Sequence, residues 1–434
     1  MSVWWSSFSQ LQLVGTNHKH APIEVRERLW CQGADLPDRL TSIIQGSRGI
    51  KEAVILSTCN RTEIYVVSSD DSNIVDYLTR LMSDWGGIDV AVLRQRIYLL
   101  TDDEAVRHLF AVSSGLDSLV IGEKQIQGQV TDAAKVAAQA GTAGEFLSEL
   151  FRRASRVSKN VRKQNGLELD KASVSSAAVS LLEHASSGRT INSVLLVGAG
   201  KMVTLAAQCL AKDTRLDLWI ANRTIQRAQE VAKKSGGKPL LLSEVPLVLQ
   251  TTDAVLTCTS SPSYVIPAND VEAAMSKRSN KPLIIIDIAV PRNVDPEVAK
   301  IPKVQLYNID GLAPFLEKDL ASHRPQITKA ERQIYAEAKR FLESVRGYDA
   351  NRTIKELRMM AEQIRGKELS RAMRRLGEVS SRNREIVDVL TRSIINKLLH
   401  EPTTRLRQQA AKGNGGLYEA TIRELFAICE KSSQ

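Results

Sequence analysis

The sequence predicts a multidomain α/β chain in three units: an α+β unit over residues 1–165, a doubly wound parallel-sheet unit over 166–311, and an all-helical unit over 312–434. Three observations carry this. At 434 residues the chain exceeds what one hydrophobic core organises. In its middle third a continuous apolar strand runs into a glycine turn and then a helix, with further apolar strands behind it. Beyond Asp310 the pattern turns helical and charged.

Composition bounds the setting. The apolar fraction of 43% is ordinary for a soluble globular protein, and no run approaches the roughly 18 consecutive apolar residues of a membrane span. Residues 1–8 show no basic n-region, so no secretory signal and a cytoplasmic location are expected. Five cysteines, at positions 31, 59, 209, 258 and 429, fit neither a disulfide framework nor a CxxC zinc site. His18 and His20 flank Lys19 without ligand-spaced partners, and no metal is expected. The net charge of +10 is uneven: residues 351–434 hold 17 Lys and Arg against 10 Asp and Glu. Such a surplus suits a polyanionic partner or plain solubility.

In the first unit, residues 11–15 read as a strand and 22–30 as a helix. Ala53-Val54-Ile55-Leu56 and Ile64-Tyr65-Val66-Val67 are β-branched strands, so Ser57-Thr58-Cys59-Asn60-Arg61 forms the connection between them. That sets a thiol in a polar, cationic turn. Arg61 favours thiolate, the form that attacks a carbonyl carbon, although a lone cysteine is more often an inert buried hydrophobe. Thr101 and Glu104 have capping-box spacing and open a helix to about Ser114, with Gly115 as its stop. His108 lies at the edge of that helix's Ala105, Leu109 and Val112 stripe, as a boundary histidine or an acid–base group.

Residues 115–130 are dense in hydrogen-bonding side chains and bracketed by glycines. They read as a substrate-binding wall, or as a loop leading into an amphipathic helix. Over 143–165 a helix gathers Leu147, Leu150, Ala154, Val157 and Val161 on one face and Arg152, Arg156, Lys159 and Lys163 on the other. Residues 151–165 hold six basic side chains and no acidic one. Like charges one turn apart repel, so the stripe invites an anionic ligand unless it is simply solvated.

The middle unit opens with the strand 193–197, followed by Gly198-Ala199-Gly200 and the helix 201–211, the start of a Rossmann-like dinucleotide fold. Val203 replaces the third glycine of the fingerprint. After the next strand, 216–220, stand Asn222-Arg223-Thr224, where an NAD site would present an acid to the ribose. Arg and Thr suit a 2′-phosphate, which points to NADP. Strands 254–257 and 283–287 extend the sheet, and Cys258 reads as a small residue that admits the nicotinamide. In the third unit Ile327, Ile334, Ala338, Phe341 and Val345 keep helical spacing, as do Val387, Leu390, Ile394 and Leu398, a pattern suited to an oligomer interface. Pro402 is expected to end the latter helix, and residues 413–416 to form a loop.

Taken together, Ser57-Thr58-Cys59-Asn60-Arg61, the 115–130 stretch, Val197-Gly198-Ala199-Gly200-Lys201-Met202 and Asn396-Lys397-Leu398-Leu399-His400 resemble the glutamyl-tRNA reductase family over essentially the whole chain. The resemblance implies an NADPH-dependent enzyme in which Cys59 takes the glutamyl group from its tRNA as a thioester. Reduction then releases glutamate-1-semialdehyde, at the entry to tetrapyrrole synthesis. It implies that His108 assists Cys59, and that Thr58, Asn60, Arg61, Ser118, Glu123, Lys124, Gln125 and Gln129 surround the glutamyl moiety, Arg61 by pairing its free carboxylate. Cofactor contacts would come from Gly198, Ala199, Gly200, Lys201, Met202, Val203, Asn222, Arg223 and Thr224. A homodimer and a transient complex with glutamate-1-semialdehyde aminomutase are further implications. Pro325 departs from the family's long linking helix, and a kink or a helix start is expected there. The alternatives are another NADP-dependent dehydrogenase of shikimate-dehydrogenase type, an aldehyde or acyl-phosphate reductase, and a tRNA-binding regulatory protein without catalysis.

Overall fold

The computed structural model describes residues 9–33, 35–47, 49–69, 73–118, 122, 125–166, 174–279, 281–315, 323–377, 379–411 and 415–428. Its first sheet is antiparallel, built from β1 (Ser9–Asn17), β2 (Ile50–Ser57), β3 (Arg61–Ser69) and β4 (Tyr98–Thr101) in the order β2-β3-β1-β4. Helices Asp35–Gln45, Gln125–Gln139 and Glu145–Asn165 pack on β2. The strands of the β2–β3 hairpin are therefore apolar runs rather than alternating ones, with Val54, Ile55, Ile64, Tyr65 and Val66 all buried. Buried Glu52, beside the irregularity in the β2–β3 register, accepts from Phe146 N at 3.2 Å and Leu147 N at 2.8 Å, which caps the basic helix Glu145–Asn165.

The expected capping box at Thr101 does not form. Thr101 is a strand residue paired with Gln12, and its side chain makes no cap bond to the helix Asp102–Ser113. Asp102 instead accepts from Leu11 N at 3.0 Å, closing the sheet edge onto the helix start.

The second sheet is wholly parallel. Strands β5 (Ser193–Val197), β6 (Asp217–Asn222), β7 (Lys238–Leu241), β8 (Ala254–Thr257), β9 (Leu283–Asp287) and β10 (Val304–Asn308) lie in the order β10-β9-β8-β5-β6-β7. This is the doubly wound dinucleotide order, whose chain reversal falls between β5 and β8. Helices cover both faces, so the central strands β5, β8 and β9 are nearly continuous apolar runs.

One helix, Arg324–Leu376, runs for 53 residues, roughly 80 Å. Pro325 lies in its first turn, where a missing N–H breaks no intrahelical bond, so the proline starts the helix and does not kink it. Ala330, Ile334, Ala338, Phe341 and Val345 are buried in the core of the first unit, with Phe341 against the rings of Phe110 and Phe146. The first core thus draws on residues well beyond position 165. Further along, Ala350 and Ile354 meet Leu406 and Ala410 of the helix Ser381–Ala411.

Two expectations for this region are corrected. Pro402 sits inside the helix Ser381–Ala411 and does not end it. It removes one ladder bond, while buried Leu399, Thr403, Leu406 and Ala410 keep the segment packed on both sides of it. Gly415 and Gly416 are the first turn of the helix Gly415–Leu425 and not loop, because a Cβ at Gly415 would press on Ala410; residues 413 and 414 lie outside the described residues.

Candidate active site

Ser57 and Thr62 face each other at the end of the β2–β3 ladder, so the chain reverses over residues 58–61. Thr58 N donates to Arg61 O at 2.8 Å, and Thr58 Oγ1 accepts from Asn60 N at 3.1 Å and Arg61 N at 3.2 Å. The hydroxyl stabilises the turn as a backbone carbonyl would. Cys59 stands half-buried on this turn, and its carbonyl accepts from Arg26 Nη1 at 2.8 Å. Asn60 is buried, with Oδ1 unpartnered among the described residues.

Arg61, Glu63 and Tyr65 follow at the strand period and share one face of β3. Glu63 is fully buried and accepts from four donors: Arg61 Nη1 at 2.7 Å, Tyr65 OH at 2.7 Å, Tyr98 OH at 2.6 Å and His108 Nε2 at 2.8 Å. Burial favours its protonated form, but His108 and Arg61 outweigh it and hold the carboxyl well below the usual range. A carboxylate only accepts, so His108 Nε2 carries hydrogen toward Glu63, and Nδ1 is the ring's other proton site. His108 is thereby tied, through Glu63, to the strand that carries the cysteine turn.

The Arg61 side chain is 1% exposed and directed inward, with Nη1 also on Asp117 Oδ2 at 3.0 Å and Nη2 on the Asp117 carbonyl. Its charge answers Glu63 and Asp117. Asp117 is in turn bound by exposed Lys19; burial opposes ionisation there, but Arg61 and Lys19 keep the carboxyl below its ordinary range. Nearby, burial reinforced by Arg61 holds the His18 imidazole down at about 4.

The other positions singled out in the 115–130 stretch differ in exposure. Ser118 is half-buried beside Asp117, Gln125 is exposed at the first turn of Gln125–Gln139, and Gln129 is half-buried one turn on. Glu123 and Lys124 lie outside the described residues. On Glu145–Asn165, Arg152, Arg156, Lys159 and Lys163 are exposed, whereas Arg162 is buried against Gln127 and Arg153 pairs with Glu337 at 3.7 Å.

At the chain reversal of the parallel sheet, Gly198 has φ +122°, and a Cβ there would overlap the Cys258 carbonyl. Val203 is buried, with a methyl near Gly198. Around Gly200, at the start of Lys201–Leu210, a Cβ would meet open space. Ala199 and Met202 are half-buried, Lys201 is exposed, and Met202 O accepts from Ser175 Oγ at 2.8 Å. At the end of β6, Arg223 and Thr224 are exposed, with Asn222 Nδ2 donating to Thr224 O at 3.0 Å. No carboxylate stands in Asn222-Arg223-Thr224, and the cradle fits a dinucleotide with a phosphorylated ribose. Burial, with Cys59 and Asp287 adding, pushes the Cys258 thiol up to about 12, which suits a packing residue and not a second nucleophile.

Family models match the chain in three consecutive blocks. They are the N-terminal domain of glutamyl-tRNAGlu reductase over residues 14–165, shikimate/quinate 5-dehydrogenase over 180–315, and the glutamyl-tRNAGlu reductase dimerisation domain over 329–428. The glutamyl-tRNA reductase of Heliobacterium mobile is 38% identical over 416 residues, covering 96% of this chain and 94% of its own. The chain belongs to the glutamyl-tRNA reductase family. The Marinobacter nauticus member is likewise 38% identical, over 96% of both chains. The solved glutamyl-tRNA reductase from Methanopyrus kandleri aligns with TM-score 0.50 and 31% identity over 95% of this chain and 99% of that one. The chain is accordingly an oxidoreductase of this family, with a dinucleotide-type central unit.

Glu63, Tyr98, Arg26 and Asp117 escape the sequence reading. A usable signal existed for Glu63 alone, an acid two positions from Arg61 inside an apolar strand. The others reach the site from distant segments.

Proposed function

We propose that this protein reduces glutamyl-tRNA to glutamate-1-semialdehyde with NADPH, through a thioester on Cys59, at the start of tetrapyrrole synthesis. On this reading residues 1–165 capture the acyl group, 166–311 hold the cofactor and 312–434 join two copies. The observation that carries it is the half-buried Cys59 on a turn braced by Thr58, Arg26 and the Glu63–His108 pair, in a chain of this family.

The Cys59 thiolate attacks the ester carbonyl carbon; the C–S bond forms, the bond to the ribose oxygen breaks, and the tRNA leaves with a proton. His108 Nδ1 serves that proton transfer while Glu63 fixes the ring. Arg61 binds the glutamate side-chain carboxylate, which takes the edge now held by Asp117, and Asp117 keeps Lys19. Thr58, Asn60, Ser118, Glu123, Lys124, Gln125 and Gln129 form the rest of the acyl pocket. Residues 198–203 and 222–224 would hold NADPH, which when bound would supply the hydride for the thioester carbon. Cys59 then departs as thiolate, the better leaving group, and the aldehyde is released. The exposed Arg152, Arg156, Lys159 and Lys163 meet tRNA phosphates, since a stripe that stays largely cationic beside the Arg152–Glu149 pair gains by counterion release. A homodimer is supported by the exposed Ile386, Val389, Leu390, Ile394 and Leu398 on one helix.

The deciding experiment incubates the protein with tRNA charged with labelled glutamate. Label held on Cys59 without NADPH, aldehyde formed with it, and neither in Cys59→Ala are expected. Label on the Cys59→Ala protein overturns the reading.

A further inference from the structure

The seven-residue helix Ile23–Leu29 belongs to the first unit, yet one of its faces is committed to the second. Ile23 is buried in the nucleotide unit's core, with Val174, Leu312 and their neighbours. Ile23 N donates to Asp310 Oδ2 at 3.2 Å, and Arg26 Nη2 pairs with Asp310 Oδ1. Arg292 grips the same helix: Nε and Nη2 lie on the two oxygens of Glu27 at 3.0 and 2.6 Å, Nη1 on Glu24 at 3.1 Å, and its backbone N on Glu27 at 3.2 Å. Arg292 and Glu27 are both largely shielded from water, a setting in which a two-pronged ion pair is geometrically demanding.

The placement of these residues is informative. Arg292 follows β9 and Asp310 follows β10, so both stand at the carboxyl edge of the parallel sheet, where such folds bind their ligands. Asp287 fixes the Arg292 loop by accepting from Asn293 N at 2.7 Å and Val294 N at 2.9 Å. On the other side of the joint, Arg26 spends its remaining N–H groups on Ala21 O at 3.1 Å and the Cys59 carbonyl at 2.8 Å. A single buried guanidinium thus links the backbone of Cys59 to the cofactor-bearing unit. Consistently, Cys258, which lines the Gly198 turn, lies within electrostatic reach of Cys59.

We propose that Arg292 and Asp310 are positioning residues: they dock the ligand edge of the nucleotide unit onto helix Ile23–Leu29 and so hold Cys59 against the hydride-donating end. The inference rests on the thioester reading above. Acyl capture occurs within the first unit and does not need the joint. Reduction does, because a displacement of about 1 Å at a reacting centre lowers a rate by up to about a hundredfold. An undocked thioester still meets water, which adds to the carbonyl carbon, expels the Cys59 thiol and gives free glutamate.

The test uses the full-length protein with Arg292→Met and Asp310→Asn. In single turnovers, acyl capture on Cys59 without NADPH should stay within about twofold of the parent, while with NADPH the ratio of aldehyde to free glutamate should fall about tenfold or more. Without cofactor or substrate, the Ile23 amide, which donates to Asp310 Oδ2, should exchange its hydrogen slowly in the parent and much faster in the variants. Arg292→Lys, which keeps the charge but not the fork, should fall between them. Should Arg292→Met fold poorly, Glu27→Gln tests the same pair from the other side. An unchanged product ratio and exchange rate, or equal loss of capture and reduction, overturns the proposal. A parent protein that captures no acyl group refutes the thioester reading, and the exchange rate still judges the docking.

Discussion

Replacing Glu63 by glutamine probes the buried centre on which the cysteine turn rests. Glu63 is fully buried and holds Arg61, which is 1% exposed, together with Tyr65, Tyr98 and His108. Removing one member of a buried ion pair costs about 3–5 kcal/mol. Arg61 keeps Asp117, and the amide oxygen still accepts from some donors, so the loss should sit near about 3 kcal/mol at pH 7. For a unit of this size that lowers the melting temperature by about 6–12 °C. The pH dependence has a definite sign. Because His108 and Arg61 overcome burial and depress the folded-state pKa, the carboxylate's contribution is complete above its ordinary value of 4.5 and is lost as pH falls below it. The gap between parent and Glu63→Gln should therefore narrow by about 1 kcal/mol at pH 4 and about 2 kcal/mol at pH 3. Urea unfolding followed at each pH measures it. A gap below about 1 kcal/mol at pH 7, or one that stays constant down to pH 3, refutes the reasoning.

Other outcomes are as direct. Gly198→Ala forces a Cβ into the Cys258 carbonyl at φ +122°, and should lower stability by about 1–3 kcal/mol and abolish the thermal stabilisation given by NADPH; an unchanged NADPH-dependent shift counts against the cradle. Replacing Arg152, Arg156, Lys159 and Lys163 together by glutamine should reduce the log–log salt slope of tRNA binding by about 3, and an unchanged slope returns that face to solvent. Leu390→Glu combined with Ile394→Glu, two exposed apolar positions on one helix, should convert a dimer to a monomer in sedimentation; persistence of the dimer at micromolar concentration excludes that face.

Local chemistry explains what could be read in advance. Strands Ser193–Val197, Ala254–Thr257 and Leu283–Asp287 have the bounds their apolar runs predict, because a strand buried on both faces admits nothing else. The turn at Cys59 is equally local, since two β-branched runs leave only a short polar connection. Failures arise where distant chain decides. Thr101 has a helix-capping sequence, but pairing with Gln12 claims it for the sheet. Pro402 has the chemistry of a stop signal, yet the buried residues on either side of it carry the helix through. The sequence does not show that Asp117, from a distant segment, joins Glu63 on the Arg61 guanidinium. Strands β7 and β10 are too polar to announce themselves, and they take their place from parallel neighbours.

The hydrogen bond between Asn165 Nδ2 and Gln333 Oε1, at 2.8 Å, has an architectural meaning. The described residues 174–315 lie outside the first core, and the chain then comes back to the same spot, as an insert does when spliced into a host. The host is discontinuous, made of the amino-terminal segment and the opening turns of the long helix. The nucleotide unit is its guest, moored through the short helix Ile23–Leu29. Such a layout lets one module be exchanged or retuned over generations while the foundation of the Cys59 turn is left intact.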